Sequence, residues 1–464
     1  MTTLNADSCY IFTDTETTGL NITFDQIIQV GSILTNEDIS EMDTQDIGCS
    51  LLPWILPSPE ALLVHKKIEC LENNGKNHYD MMQELRNKWL EWSSEKNAVY
   101  ITYNGHRFDE ELFRRQFFWC LLPSYITNMD GARRLDMLAT FQLIANFFPN
   151  SLNLPLFEDK VSMKLTDWAE ANNISSKNAH DALADCNLMV DLSRKVLELA
   201  PQAWKASLQG SSKGGNLNIL QSEGFAMLGE IVRRSKFSYP ITFCGQNRNM
   251  LNEVAVADLY FDPDILNDLS DSELLDQIGT SSTAIRKLRI NKSIPVINYL
   301  NVPDLKNYLD LPLEEIESRA YKIQNNTILQ TRISDLLTQH TNNYPPNKYI
   351  EQTVYSGFAS EADSLWMERF HASAWEDRAN LLNGFDDVRY KELAERLVCS
   401  IHPEFVSSDL LSKYHTFLQK RLHDKGPWLT LDKCMEKTDS LLEVASSDEN
   451  KTILTKLKKY LQSI

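Results

Sequence analysis

A chain of 464 residues with 46 Lys+Arg against 64 Asp+Glu carries a formal net charge of −18. At ~100–200 residues per domain this length makes two to four domains, and 42% apolar residues excludes a chain disordered throughout. The acidity speaks against a protein that coats duplex DNA, because that affinity comes from Lys and Arg displacing counterions; it leaves open a metal-dependent phosphodiesterase, which needs carboxylates.

The eight cysteines (9, 49, 70, 120, 186, 244, 399 and 434) form no CxxC pair or Cys/His cluster, which disfavours zinc and a disulfide framework and fits a reducing, cytoplasmic setting. The N-terminus has no basic stretch followed by an apolar one, and no apolar run reaches the ~18 residues of a membrane span. Neither secretion nor membrane association is expected.

Tyr10 to Thr15, Gln26 to Thr35 and Asp46 to Leu52 read as short β runs in an antiparallel meander. Helical spacing follows at Pro59 to Ile68 and His78 to Ser93, then a fourth apolar run at Ala98 to Tyr103. Further helices are expected at Asp109 to Cys120, Leu135 to Phe147, Lys164 to Asn172 and Asp181 to Leu197. Strands first, then alternating helices and strands, predict a mixed sheet covered by helices over residues 1–197. Gln209 to Asn218, rich in Gly, Ser and Asn, reads as a linker. Runs at Tyr239 to Cys244, Glu253 to Tyr260 and Ser293 to Leu300 predict a small β-rich module in a second domain, 198–347, with Leu311 to Gln339 helical. His340 to Lys348, which holds a Pro-Pro pair, separates a helical third domain, 348–464. Its tail from Asp432 to Ile464 has the spacing of a solvated amphipathic helix.

Asp14 and Glu16 stand two apart at the end of the first strand, so both carboxylates project from one face, where a metal could bridge them. Two acids at this spacing are also an ordinary polar strand end. Asp109 follows the fourth strand and an Asn-Gly break, which puts it in a first helical turn above the same sheet end; Glu110 and Glu111 beside it read as helix-dipole partners. His180 and Asp185 are five apart, about 140° on a continuous helix, so both face one site only if His180 lies before the helix proper. Asp181 reads as the helix cap.

Together, Asp14-x-Glu16, Asn104-x-x-x-Phe108-Asp109 and His180-x-x-x-x-Asp185 resemble, in order and spacing, the signature of the DnaQ-like (DEDDh) 3′→5′ exonucleases. The stretch Tyr349-Ile-Glu-Gln-Thr-Val-Tyr355-Ser-Gly357-Phe358, followed by Glu361 and Asp363, resembles the bacterial exodeoxyribonuclease I family within them. So do Asn247-Arg248-Asn249 and Ile290-Asn-Lys292-Ser-Ile-Pro295. The resemblance implies an α/β fold: an RNase H-like mixed-sheet exonuclease domain, then a small β-rich (SH3-like) module and a helical C-terminal domain. It implies a processive 3′→5′ exonuclease that degrades single-stranded DNA to 5′-mononucleotides in repair and recombination. Two Mg²⁺ ions, for which Mn²⁺ can substitute, would be held by Asp14, Glu16, Asp109 and Asp185, the oxygen ligands that hard cations prefer. His180 would be the base for the attacking water, and Glu16 would also touch the terminal nucleotide.

By the same resemblance Arg114 and Tyr125 match positions that contact single-stranded DNA, although a solvated helix face is the plainer reading of Arg114 and Arg115. Lys164 stands where an Arg near the substrate is expected, so it keeps the charge but loses the bidentate fork. Arg248 and Lys292 are further DNA candidates, Lys292 ending a run, Arg286-Lys-Leu-Arg-Ile-Asn-Lys292, with four cations and no acid. The family's members bind the acidic C-terminal tail of single-stranded DNA-binding protein, and a monomer is expected. Thr15 and Thr18 depart from the family, where aromatics are expected, and Gly229 to Gly245 matches it poorly. A same-fold RNase or proofreading exonuclease leaves the two extra modules unexplained. A catalytically silent nucleic-acid-binding protein is at odds with the presence of all four carboxylates and His180.

Residues 1–197 hold 16 Lys+Arg and 28 Asp+Glu, a net of −12 of the total −18. The acidity is therefore concentrated on the expected catalytic domain, and any DNA track must come from local cationic stretches.

Overall fold

The computed structural model describes residues 8–464 except 73–74, 95, 178–179, 280–282 and 341–345. The break expected at His340 to Lys348 therefore lies largely outside the described residues, as do Asn178 and Ala179 of the His180 motif. The first segment is built on a five-stranded sheet, in the order β3-β2-β1-β4-β5: β1 (Ser8–Thr17), β2 (Ile27–Thr35), β3 (Glu41–Gly48), β4 (Asn97–Thr102) and β5 (Arg133–Asp136). The first three strands form the antiparallel meander, whereas β4 and β5 run parallel to β1. Between and after them lie α1 (Pro59–His65), α2 (His78–Ser93), α3 (Asp109–Trp119), α4 (Met137–Phe147), α5 (Leu165–Ala171) and α6 (Ala182–Leu199), with a short hairpin of β6 (Leu156–Phe157) and β7 (Lys160–Val161).

Alternation along β1 divides the core. Cys9 and Ile11 turn to the face covered by α2 and α3, against Trp89, Phe113 and Phe117; Tyr10 and Phe12 turn to the face covered by α4 and α6, against Phe141, Met189 and Leu192. Both cores run on into the later segments: the first takes in Tyr390, Leu393 and Leu397, the second Met227, Leu259 and Ile297. The three segments thus share apolar cores.

The expected linker is instead structured. After α7 (Pro201–Gln209), residues Lys213–Leu220 form α8, and the buried Asn216 carboxamide donates to the Gly210, Ile290 and Lys292 carbonyls at 2.9, 3.0 and 2.9 Å. Small polar residues here serve close packing rather than looseness: a Cβ on Gly215 would stand 1.7 Å from the Gln209 carbonyl oxygen. The middle segment carries a six-stranded sheet, order β11-β12-β10-β9-β8-β13, from β8 (Ala226–Val232), β9 (Ser235–Gln246), β10 (Glu253–Asp258), β11 (Ile278–Gly279), β12 (Ile285–Arg289) and β13 (Val296–Asn298). Helices α9 (Pro263–Asp268) and α10 (Asp271–Asp276) lie within it. The divergent stretch 229–245 lies in the β8–β9 hairpin, where Gly229 lies so close to Phe147 and Asn146 of α4 that a Cβ would come within 2.9 Å of both. The single helix expected over Leu311 to Gln339 is two, α11 (Leu313–Gln324) and α12 (Thr327–Gln339), broken where Asn326 caps the second by accepting from the Leu329 amide.

The C-terminal segment is helical: α13 (Glu361–Ala372), α14 (Trp375–Leu381), α15 (Val388–Ile401), α16 (Ser408–His423), α17 (Leu431–Val444) and α18 (Asp448–Ser463). Its anchor is buried Glu351, which accepts from Arg396 at 2.9 Å and Arg421 at 2.7 Å. The expected solvated tail is a packed helix pair: Ile453, Leu457 and Leu461 join a core with Ile28, Leu62 and Cys70. No helix among the described residues is long and apolar enough to cross a membrane.

Candidate active site

As β1 leaves the core, the face that carried Tyr10 and Phe12 continues with Asp14 and Glu16. In the sheet register Asp14 lies opposite Gly31 of β2, and Glu16 opposite Gln29. Gly31 is what lets α6 cross here, because a Cβ on it would stand 2.4 Å from the Leu183 nitrogen and 2.5 Å from the Ala182 carbonyl carbon. That close crossing brings Asp185, in the first turn of α6, onto the β1 acids: Asp14, Glu16 and Asp185 each offer a carboxylate oxygen, all within 4.8 Å of one another. Gly31→Ala meets backbone rather than a movable side chain, so α6 must shift. A displacement of about 1 Å costs on the order of 10² in rate, to be read from kcat on a labelled oligonucleotide.

Asp109 lies outside that trio but beside it. It is buried at the start of α3 and accepts a 2.5 Å hydrogen bond from the Thr15 hydroxyl. An aromatic at position 15 has no hydroxyl on its Cβ to make this short bond, which gives the departure at Thr15 a role in holding Asp109. Asp136, the cap of α4, supports the neighbouring loop by accepting from the Asn104 amide at 2.7 Å. Helical spacing from Leu135 hides Asp136 in the sequence, whereas in the fold it ends β5 and caps α4.

His180 precedes α6, and Asp181 is its N-cap, accepting from the Ala184 amide at 3.1 Å, as the helical-wheel argument required. His180 is exposed, with a left-handed φ of 70°, and both its backbone amide and its imidazole act on the Asp185 carboxylate.

The electrostatics are those of crowded anions. Burial, then the charges of Asp109, Asp185 and Glu16, pushes Asp14 well above the usual carboxylate range. Burial, then Asp185, pushes Glu16 up to about 8, and burial pushes Asp109 up to about 7 against the opposing Thr15 hydrogen bond. Asp185 is raised by burial, and its Oδ1 is buried without a hydrogen-bond partner among the described residues. Clustered oxygens, one of them unsatisfied, suit a hard divalent cation. A carboxyl that holds its proton more tightly folded than unfolded stabilises the fold below the unfolded pKa, and that contribution is lost as pH rises through the folded value. With Glu16 moving from 4.5 to about 8 and Asp109 from 3.8 to about 7, the metal-free protein is expected to lose stability across roughly pH 4–8. The gap in Tm between Mg²⁺ and EDTA samples should therefore widen with pH; a gap flat over that window would contradict the repulsion.

The DNA candidates separate. Lys292 is brought to the loop just before Asp109, donating to the His106 carbonyl at 3.3 Å, while the Ser293 amide donates to His106 Nδ1 at 2.9 Å. Arg107, exposed, and Arg114 both act on Lys292. Arg114 is buried on α3 rather than on a solvated face, bridging Glu111 at 3.3 Å and lying 5.4 Å over the Tyr125 ring. Tyr125 in turn is 5.4 Å from the ring of Phe358, which is 83% exposed, and both line a cleft of about 950 Å³. Arg248 stands apart, exposed and paired with Asp335 at 3.0 Å, and Lys164 is exposed at the N-cap of α5. The cationic run is not a continuous groove. Alternation on β12 buries Arg286 against Asp258 at 3.2 Å and sends Arg289 to Glu253 at 3.0 Å.

Residues 11–192 match the family model described as Exonuclease, and residues 348–464 match that of the Exonuclease I C-terminal domain. Among curated proteins the chain is 23% identical to exodeoxyribonuclease I of Buchnera aphidicola from Schizaphis graminum, over 97% of this chain and 95% of that one. It is 25% identical to that of Haemophilus influenzae, over 83% and 85%. Among solved structures, Exonuclease I from Methylocaldum szegediense superposes with a TM-score of 0.83 at 20% identity, and Escherichia coli Exonuclease I in complex with a dA16 oligonucleotide with 0.84 at 18% identity; each covers 98% of this chain and 99% of the other.

Proposed function

Since this chain belongs to the exonuclease I family, joining that family's exonuclease and C-terminal domains in one polypeptide, we propose that it degrades single-stranded DNA processively from the 3′ end to 5′-mononucleotides, using Mg²⁺. The observation that carries the reading is the convergence of Asp14, Glu16 and Asp185 within 4.8 Å, beside buried Asp109 and with His180 at its rim. Asp14, Glu16, Asp109 and Asp185 would hold the ions. Bound divalent cations would neutralise the phosphate and acidify the attacking water. His180, exposed on a turn rather than locked in the helix, is free to take the proton from that water. Glu16, at the open end of β1, is the carboxylate that also meets the terminal nucleotide.

The Arg114 guanidinium, the Tyr125 ring and the Phe358 ring adjoin in that order, a cluster of the kind on which unpaired bases stack. Lys292, held against the loop before Asp109, and Arg107 add positive charge near Arg114 of that platform, and Lys164 and Arg248 would extend phosphate contacts outward. Eight buried free thiols suit a cytoplasmic setting. The partners that fit are single-stranded DNA and the acidic tail of single-stranded DNA-binding protein: a solved Exonuclease I structure is described as an SSB/Exonuclease I complex with an inhibitor. We assign a monomer.

The test is digestion of single-stranded DNA, duplex DNA and RNA, labelled at either end, with Mg²⁺ and with EDTA. Mononucleotides released first from the 3′ end of single-stranded DNA, with Mg²⁺ only, are expected. Preference for RNA, or activity in EDTA, would overturn the reading.

A further inference from the structure

A cation that the carboxylate motifs do not announce stands at the rim of the site. Lys67 follows α1, and its ammonium pairs with Asp181 Oδ2. Asp181 is the residue between His180 and α6. Its Oδ1 caps the helix at the Ala184 amide, and Gln29 Nε2 donates to its Oδ2 at 3.2 Å. Gln29 reaches onward to Asp46 at 2.7 Å and receives the Ala182 amide at 3.4 Å. One carboxylate thus ties the helix start to the sheet on one side and to Lys67 on the other. The segment it holds needs such ties, because a left-handed residue other than glycine persists only where its surroundings impose it, and His180 has a φ of 70°.

Lys67 is itself delivered by a constrained turn. Lys66 closes α1 in the left-handed region, at φ 60°, with its amide donating to the Leu62 carbonyl at 2.9 Å. The Lys67 amide donates to His65 Nδ1 at 3.0 Å. Behind the turn stands α18, whose Glu449 pairs with Lys66 at 2.6 Å and whose apolar face packs on Leu62 and Cys70.

We propose that Lys67 is a positioning residue of the hydrolytic site: through Asp181 it fixes the turn that carries His180 and the first turn of α6 that carries Asp185. This rests on the nuclease reading above. The conservative Lys67→Arg keeps a donor for Asp181, whereas Lys67→Met keeps only the stem.

The experiment has two arms, on full-length Lys67→Met, Lys67→Arg, Asp181→Asn and the Lys67→Met/Asp181→Asn double variant. In metal-free protein, amide hydrogen exchange over 182–186 should quicken in Lys67→Met and Asp181→Asn, remain near wild type in Lys67→Arg, and be unchanged elsewhere in the sheet. On a labelled single-stranded oligonucleotide with Mg²⁺, kcat should fall about 10–100-fold in Lys67→Met, the usual loss when a supporting contact is removed, with KM unchanged. Lys67→Arg should recover most of it, and the double variant should be no slower than the worse single one. Wild-type exchange in Lys67→Met overturns the proposal, as does a raised KM at unchanged kcat, which would make Lys67 a phosphate contact. If the wild-type protein does not hydrolyse DNA at all, it is the nuclease reading that fails, and the exchange arm still decides the Lys67 tie.

Discussion

Asp14→Asn is expected to reduce Mg²⁺-dependent hydrolysis of single-stranded DNA by roughly 10³-fold or more, because loss of a residue supporting a metal ligand already costs about 10–100-fold and Asp14 is proposed to be a ligand itself. The same change should stabilise the metal-free protein. Asp14 is half-buried beside Asp109, Asp185 and Glu16, and desolvation first, then their charges, drives its pKa up. The amide keeps the shape and removes one of the repelling charges, so Tm in EDTA at pH 8 should rise, by about 2–4 °C for each kcal/mol of relieved repulsion in a large domain. A stability gained where activity is lost is the usual signature of a functional cluster held against its own electrostatics. Release of mononucleotides and thermal unfolding in EDTA measure the two effects; retained hydrolysis, or a lowered Tm in EDTA, would remove Asp14 from the centre of the site.

His180→Ala is expected to lower kcat by about 10² to 10⁴, the range for loss of a positioned general base, with KM for the oligonucleotide little changed. Because His180 is exposed and precedes the α6 cap rather than lying in the helix, its removal opens no cavity, and the fold should survive. The Mg²⁺-induced rise in Tm should also persist, since Asp14, Glu16, Asp109 and Asp185 are untouched. An unchanged kcat would leave His180 a turn residue only. A lost Mg²⁺ response would make it part of the ion-binding set instead.

Much of the site was legible because its signals are local. The alternation Tyr10, Phe12, Asp14, Glu16 along one strand face, and the offset that forces His180 out of the helix while Asp181 caps it, need only periodicities of 2 and 3.6 residues. The misreadings have local causes too. Gln209 to Asn218 looks like a linker because Gly, Ser and Asn are loop formers, yet Asn216 is buried with its Nδ2 donating to three backbone carbonyls. Arg286 looked like a groove cation because a one-dimensional run hides which of its members face Asp258. The tail helices looked solvated because nothing in their own spacing names Leu62 and Cys70 as the surface they cover.

By itself, the sequence determined the strand-first meander of the N-terminal segment, the spacing of Asp14, Glu16, Asp109, His180 and Asp185, and the resemblance to the exonucleases. Only the tertiary structure decided which other residues serve them: Thr15 donating to Asp109 across 94 positions, Lys67 pairing with Asp181 across 114, and Gly31 giving way to the backbone of α6. A carboxylate motif is conspicuous because its chemistry demands particular residue types at short spacing. A threonine, a lysine and a glycine become part of a site only through distances that arise when the sheet, α1 and α6 are packed together.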